Sequence, residues 1–175
     1  VHGHQPYAVD AFFDVGRVAA AAGARGLVFH EVDERSERGR ATCVEAARQV
    51  LAAIEHPDDA LAVFAVLRGA FFGFSDSELF TYREKVGPLL PFASAQATKE
   101  ESEVAIAEAL ALLRALHTER NERPFAETLA RFFEATRAQA GLALWPSPRQ
   151  TLASVARLVD RARRFDARGA TSFRA

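Results

Sequence analysis

Methionine is absent from this chain, cysteine occurs once, and β-branched residues are sparse beside alanine and leucine. A lone cysteine, Cys43, cannot close an internal disulfide, which points to a reducing, cytoplasmic setting. The lack of methionine, with a start at Val1, is the pattern expected of a piece cut from a longer chain. No apolar run is long enough to cross a bilayer and no signal peptide opens the sequence, so no membrane partner is expected. Neither sign of charge is in excess: 22 basic side chains against 23 acidic ones leave a net charge of −1. That balance excludes an overall basic nucleic-acid binder and leaves room only for a local patch. Several catalytic signatures are missing too. There is no Walker-type Gly-rich loop, no G-x-G-x-x-G after a strand, no Cys-x-x-Cys and no G-x-S-x-G elbow. No catalytic residue and no metal ligand set is therefore expected.

What is present favours helix. The 175 residues suffice for one sizeable core, and alanine and leucine are strong helix formers. The first forty residues are the least regular, with Tyr7–Phe13 and Leu27–Val32 as short strand candidates and Asp33–Arg40 as a solvated charge run. From Thr42 onward Val44, Ala47, Val50, Leu51 and Ile54 recur at helical spacing up to the stop at His56-Pro57. Pro57 suits the first position of a second helix, whose expected inner face is Leu61, Phe64, Ala65 and Arg68. Phe71, Phe72 and Phe74 surround Gly73 in an aromatic turn. Ser75 with Glu78 matches a capping box for a third helix, and Thr98 with Glu101 matches another for a long helix to about His117. Its expected apolar line is Val104, Ala105, Ala107, Leu110, Ala111, Leu113 and Leu116. Pro124 opens a helix that buries Leu129, Phe132 and Phe133 and ends at Gly141, and Ser147-Pro148 opens a last one to Gly169. The whole predicts a mainly α, irregular bundle of about six helices, with one or two short strands near the N-terminus. Residues 1–40 form an irregular segment packing on a helical body, residues 41–175.

Candidate chemistry is thin. His2 with His4 makes a weak metal pair near a terminus, and His30 beside Glu31 has no nucleophile at recognisable spacing. Glu31–Glu37 lacks the spacing of a calcium loop and is interleaved with arginines. His56 sits between two helices, His117 suits a helix C-terminus, and Cys43 reads as a small core residue. Arginines are the more informative group. Arg157, Arg161, Arg164 and Arg168 follow one another at spacings of three and four, which aligns them along one helix face. Arg114, Arg120 and Arg123 gather around the end of the long helix. A guanidinium fork pairs with two phosphate oxygens and stays charged, so such a stripe suits phosphate; nearby Asp160 and Asp166 would instead make it a balanced surface. Arg68, just before Gly69, is expected in a structural role, bonded to helix-end carbonyls or to a buried carboxylate.

One ordered series of segments carries more. Ile54–Asp59 reads IEHPDD, Leu61–Phe74 reads LAVFAVLRGAFFGF and Ser75–Leu79 reads SDSEL. These resemble the "aidxPdd" and "lavvavLRspLfglsdeeL" segments of the UvrD/Rep-type DNA helicases, in particular the RecB/AddA-like helicase–exonucleases. Ala109–Arg123 and Pro124–Thr136 are similar to that family's "aLalLreLhrrrn" and "pl.elLe.lleaT". Gln150–Ser172 is similar to "qalaNlerlvelAraFea.G..S", departing at Ala153–Val155, where an Asn is common in the family. The resemblance runs from roughly Thr42 to Ala175, and Gln5–Phe13 is a looser echo of an upstream family segment. It implies a helical accessory subdomain, called 2B, of an ATP-dependent DNA helicase acting in repair, with or without an attached exonuclease. ATP and Mg would belong to the motor of the parent chain, and this fragment alone would be inactive. The implied partners are double-stranded DNA, met weakly through phosphates, and the motor domains of the same parent chain. Arg120, Arg123, Arg161 and Arg164 are the candidate DNA contacts. The rival expectation is a helical protein-interaction module without DNA contact, docking through an exposed patch of Phe71, Phe72, Phe74 and Trp145.

Overall fold

The computed structural model describes residues 37–138 and 148–169. The strand candidates at Tyr7–Phe13 and Leu27–Val32, the histidines His2, His4 and His30, and Gly141, Trp145 and Ser147 lie outside them. The described residues form six helices and no strand: α1 Glu37–Glu55, α2 Ala60–Arg68, α3 Asp76–Lys85, α4 Glu101–Glu119, α5 Phe125–Ala135 and α6 Pro148–Asp166. The fold is mainly α. None of these helices is long and apolar enough to cross a membrane.

Four helices close a ring of contacts, α1 on α4, α4 on α5, α5 on α6 and α6 back on α1. Two short helices hang on it, α2 against α1 and α3 against α4. The core of the ring comes from Ala47, Val50, Ala53 and Ile54 of α1, from Ile106, Ala109, Leu113 and Leu116 of α4, and from Leu129 and Phe132 of α5. These recur at three- and four-residue spacing, the period at which a helix presents one face. Val44, expected inward, is 48% exposed. On α4 the buried face is turned slightly from the expected line: Ile106, Ala109 and Leu112 are inside while Ala111 is exposed. Alanines are small enough to fit either side of a helix, so their periodicity alone does not choose the face.

The α1–α2 junction differs from expectation. His56 C=O accepts from Asp59 N–H at 3.0 Å, so Pro57 occupies the second position of a tight turn, where its fixed φ is favoured. Helix α2 starts later, at Ala60, with Asp59 as its N-cap accepting from Leu61 N–H at 2.9 Å and Ala62 N–H at 3.1 Å. The fully buried residues of α2 are Val63, Val66 and Leu67; of the expected face Phe64 packs partly buried against the core, while Arg68 is exposed and Leu61 is 76% exposed. Helix α2 is apolar nearly all round, and the cap and the turn before it decide which side faces α1.

Beyond α2 the chain folds back on the helix it has just left. Gly73 N–H reaches Gly69 C=O at 2.8 Å and Phe74 N–H reaches Leu67 C=O at 3.1 Å. Gly73 takes a φ of 66°, a left-handed conformation that glycine adopts without a Cβ clash. This tight return drives Phe71 and Phe72 inward. Phe71 meets Phe132 and Phe133 at ring distances of 5.3 and 5.4 Å, and Phe72 meets Phe132 edge-on at 5.8 Å. The three turn phenylalanines are buried. They are core, not the exposed docking patch that the interaction-module reading requires.

Helix α3 carries the expected capping box. Glu78 N–H donates to Ser75 Oγ, and Ser75 N–H donates to the Glu78 carboxylate at 2.8 Å. The Thr98 motif works differently. Helix α4 starts at Glu101 with Glu100 at the cap position and no side-chain cap bond. Thr98 accepts from Glu100 N–H at 3.2 Å and donates to the carboxylate of buried Glu103. It therefore satisfies a buried acid of the first turn instead of capping the helix. Arg68 also departs from expectation: its Nε pairs with Asp76 at 2.7 Å with both side chains mostly exposed, so it clips α2 to the start of α3 at the surface.

Candidate nucleic-acid interface

Helix α6 is the most polar of the ring helices, and its two sides differ in kind. Val155 and Ala162 are buried, with Leu152, Leu158 and Val159 packed against the core. Arg157, Arg161, Arg163, Arg164 and Arg168 are exposed. At about 100° per residue, Arg157, Arg161 and Arg164 fall within one narrow stripe, opposite the buried residues, and Arg168 follows in the turn just past the helix end. The sequence period at these positions thus becomes a physical row of guanidinium groups.

The acids expected to balance this row are divided. Asp160 stays with it and pairs with Arg164 at 2.7 Å on the surface. Asp166 lies about half a turn away, on the inner side of α6. Its two carboxylate oxygens accept from Phe125 N–H at 3.0 Å and Ala126 N–H at 2.9 Å, the first turn of α5. The reason lies in α5 itself. Its cap residue is Pro124, which has no side-chain oxygen, and no local cap bond forms. The first N–H groups of a helix need partners, and the helix dipole favours an anion there. Asp166 provides both from another helix, and Phe165 packs its ring against Phe125 at 6.0 Å beside it. Among the described residues no ion pair engages Arg157 or Arg161.

A groove of about 370 Å³ runs along this stripe, where α1 approaches α6. Val44 and Leu158 supply its apolar floor, and Arg157, Arg161 and Arg164 stand at its edge with Ser154 and Asp160. The exposure of Val44 is thereby explained: it faces this groove rather than the core.

The other two candidate contacts sit elsewhere, around the C-terminal end of α4. Arg120 pairs with Glu55 at 3.4 Å, with both side chains largely covered, and donates to His117 C=O at 2.5 Å. Arg123 is held between Glu127, at 2.5 Å, and Glu119, at 3.1 Å. These bonds, the one to Glu127 foremost, raise its pKa above the usual arginine value. Arg131 pairs with the same Glu119. Here the arginines tie α4 to α1 and α5, a structural use of the residue type that sequence spacing does not separate from a phosphate site. Only Arg161 and Arg164 of the four share one surface.

Two residues acquire roles that their sequence context conceals. His117 Nδ1 donates to Ile54 C=O at 2.6 Å, satisfying a carbonyl at the end of α1 across the bundle. Its ring also meets Phe92 edge-on at 5.4 Å, and Arg114 lies 5.2 Å from the centre of the Phe92 ring. His117 and Phe92 border an open cleft of about 760 Å³ with His56, Asp58 and Arg120. The second such residue is Asp166. A helix opened by proline with no Ser, Thr, Asp or Asn at its cap is the signal that an acceptor must come from elsewhere, although not which one.

Among the described residues no group of His, Cys, Asp and Glu is placed to hold a metal ion. The chain matches no family model, and no curated protein matches it.

Proposed function

We propose that this chain is a helical accessory domain of a RecB/AddA-like, ATP-dependent DNA helicase, and that the outer face of α6 meets the phosphates of duplex DNA. The observation that carries the contact is the row Arg157, Arg161 and Arg164, exposed on one side of a helix whose second acid, Asp166, is spent on the opposite side. The series of segments from Ile54 to Ser172 carries the assignment to the helicase type. Arg120 and Arg123, whose guanidinium groups are taken up by carboxylates, serve the frame of the domain in this reading. A phosphate contact needs cations in a row and no base code, in keeping with a domain that follows whatever duplex enters the enzyme. The net charge of −1 gives no long-range attraction to DNA, so binding by this chain alone is weak and local. Nucleotide hydrolysis, with ATP and Mg, belongs to motor domains elsewhere on the parent chain, and the domain's contribution is to position the duplex for them.

The test is a salt titration of the chain on a short labelled duplex. Three or so phosphates neutralised give a slope of about −3 in log K against log salt, at roughly 0.9 per phosphate. Replacing Arg161 and Arg164 together by Gln is expected to reduce that slope by about 2 while leaving helicity intact. No binding even at the lowest salt, or an affinity indifferent to ionic strength, would overturn the phosphate role.

A further inference from the structure

We infer that Asp166 is a positioning residue for this interface: by clamping the first turn of α5, it sets where the arginine row of α6 stands. The inference rests on the phosphate-binding reading above. Three observations support it. First, the carboxylate makes two backbone bonds, at 3.0 and 2.9 Å, to consecutive N–H groups, which fixes direction as well as distance. Second, the clamp lies at the end of α6, close in sequence to Arg161, Arg163, Arg164 and Arg168. The inner face of that stretch carries small Ala162, and half-exposed Phe165 lies on its flank. Two charge-assisted bonds to backbone add a directional constraint to that small apolar contact. Third, Asp166 points away from the arginines, so it adds its bond to α5 without sharing a phosphate site with them.

The sign of one substitution separates this role from its rivals. Asp166→Asn removes a negative charge. If charge alone mattered, the variant would bind a polyanion more tightly than the wild type. If Asp166 were structural only, the variant would melt earlier but bind as before at temperatures where it is folded. A positioning role predicts weaker binding despite the added positive charge. The experiment uses the whole 175-residue chain and a short labelled duplex at low salt, with helicity recorded for each variant at the binding temperature. Asp166→Asn is expected to lose threefold or more in affinity, in the order of effect that one misplaced phosphate contact produces. It is also expected to show a shallower salt slope. Adding Arg161→Gln to Asp166→Asn is expected to cost less than the product of the two single effects, because the clamp acts through that arginine. Asp166→Glu keeps the charge but displaces the carboxylate by one methylene, and its affinity should also fall. If Asp166→Asn does not fold, this second variant decides. A folded variant at position 166 with unchanged or tighter binding and an unchanged slope would overturn the positioning role while leaving the phosphate reading standing. Absence of binding by the wild type would overturn the phosphate reading, and the inference with it.

Discussion

At the scale of single residues, the same side chain does opposite work in two places. Arg120 lies against Glu55 with little solvent access, while Arg161 stands free at the edge of a groove. Replacing Arg120 by Gln is expected to destabilise the fold by about 1–3 kcal/mol, since a covered carboxylate loses a partner. Replacing Arg161 by Gln should stay within about 0.5 kcal/mol, the usual range for a surface site. Urea midpoints of the two variants check the contrast, and a larger loss for Arg161 would refute the division into frame and interface. Tyr82 offers a pH signature. Burial, and next the nearby Glu103 charge, raise its pKa above the ordinary 10.0. A raised pKa means that the folded chain holds the phenol proton longer than the unfolded one. Stability from this source is complete below pH 10 and declines as pH rises from about 10 toward the folded value. Thermal midpoints followed across that window should therefore fall, and Tyr82→Phe should flatten the decline.

At the scale of elements, caps and breakers were more legible in the sequence than faces were. Ser75 and Glu78 announce a helix start, and the structure forms both reciprocal bonds. Ser75→Ala is expected to cost about 1 kcal/mol by removing the local acceptor, measurable as a lower urea midpoint with an unchanged m-value. His56-Pro57 likewise marks a break, although proline sits in the turn before α2 and not in its first position. Faces failed where composition is uniform. In α2 nearly every residue is apolar, and in α4 alanines occupy both sides, so hydrophobic period alone misplaced Leu61 and Ala111. Long-range bonds were invisible for another reason. His117 to Ile54 and Asp166 to Phe125 join positions far apart in the chain, and neither has a local motif. The candidate site was half legible. The spacing of Arg157, Arg161, Arg164 and Arg168 predicts a shared face, which the helix delivers for the first three and ends before the fourth, but nothing local to Asp166 announces that its charge is used elsewhere.

At the scale of the whole molecule, the ring of α1, α4, α5 and α6 binds early and late parts of the chain into one cooperative unit. Helix loss followed by far-ultraviolet circular dichroism and the environment of Tyr82 followed in the near ultraviolet are expected to change at the same denaturant concentration. Separate transitions would show that α2 and α3 unfold apart from the ring. Closure by late elements also has a cost during synthesis. Phe71 and Phe72 leave the ribosome well before Phe132 and Phe133, the rings that cover them. Until α5 emerges, a nascent chain presents bare aromatic surface to its surroundings. Any product halted ahead of Pro124 should be a chaperone client or a precipitate, and only a chain that includes α5 hides what the earlier residues expose.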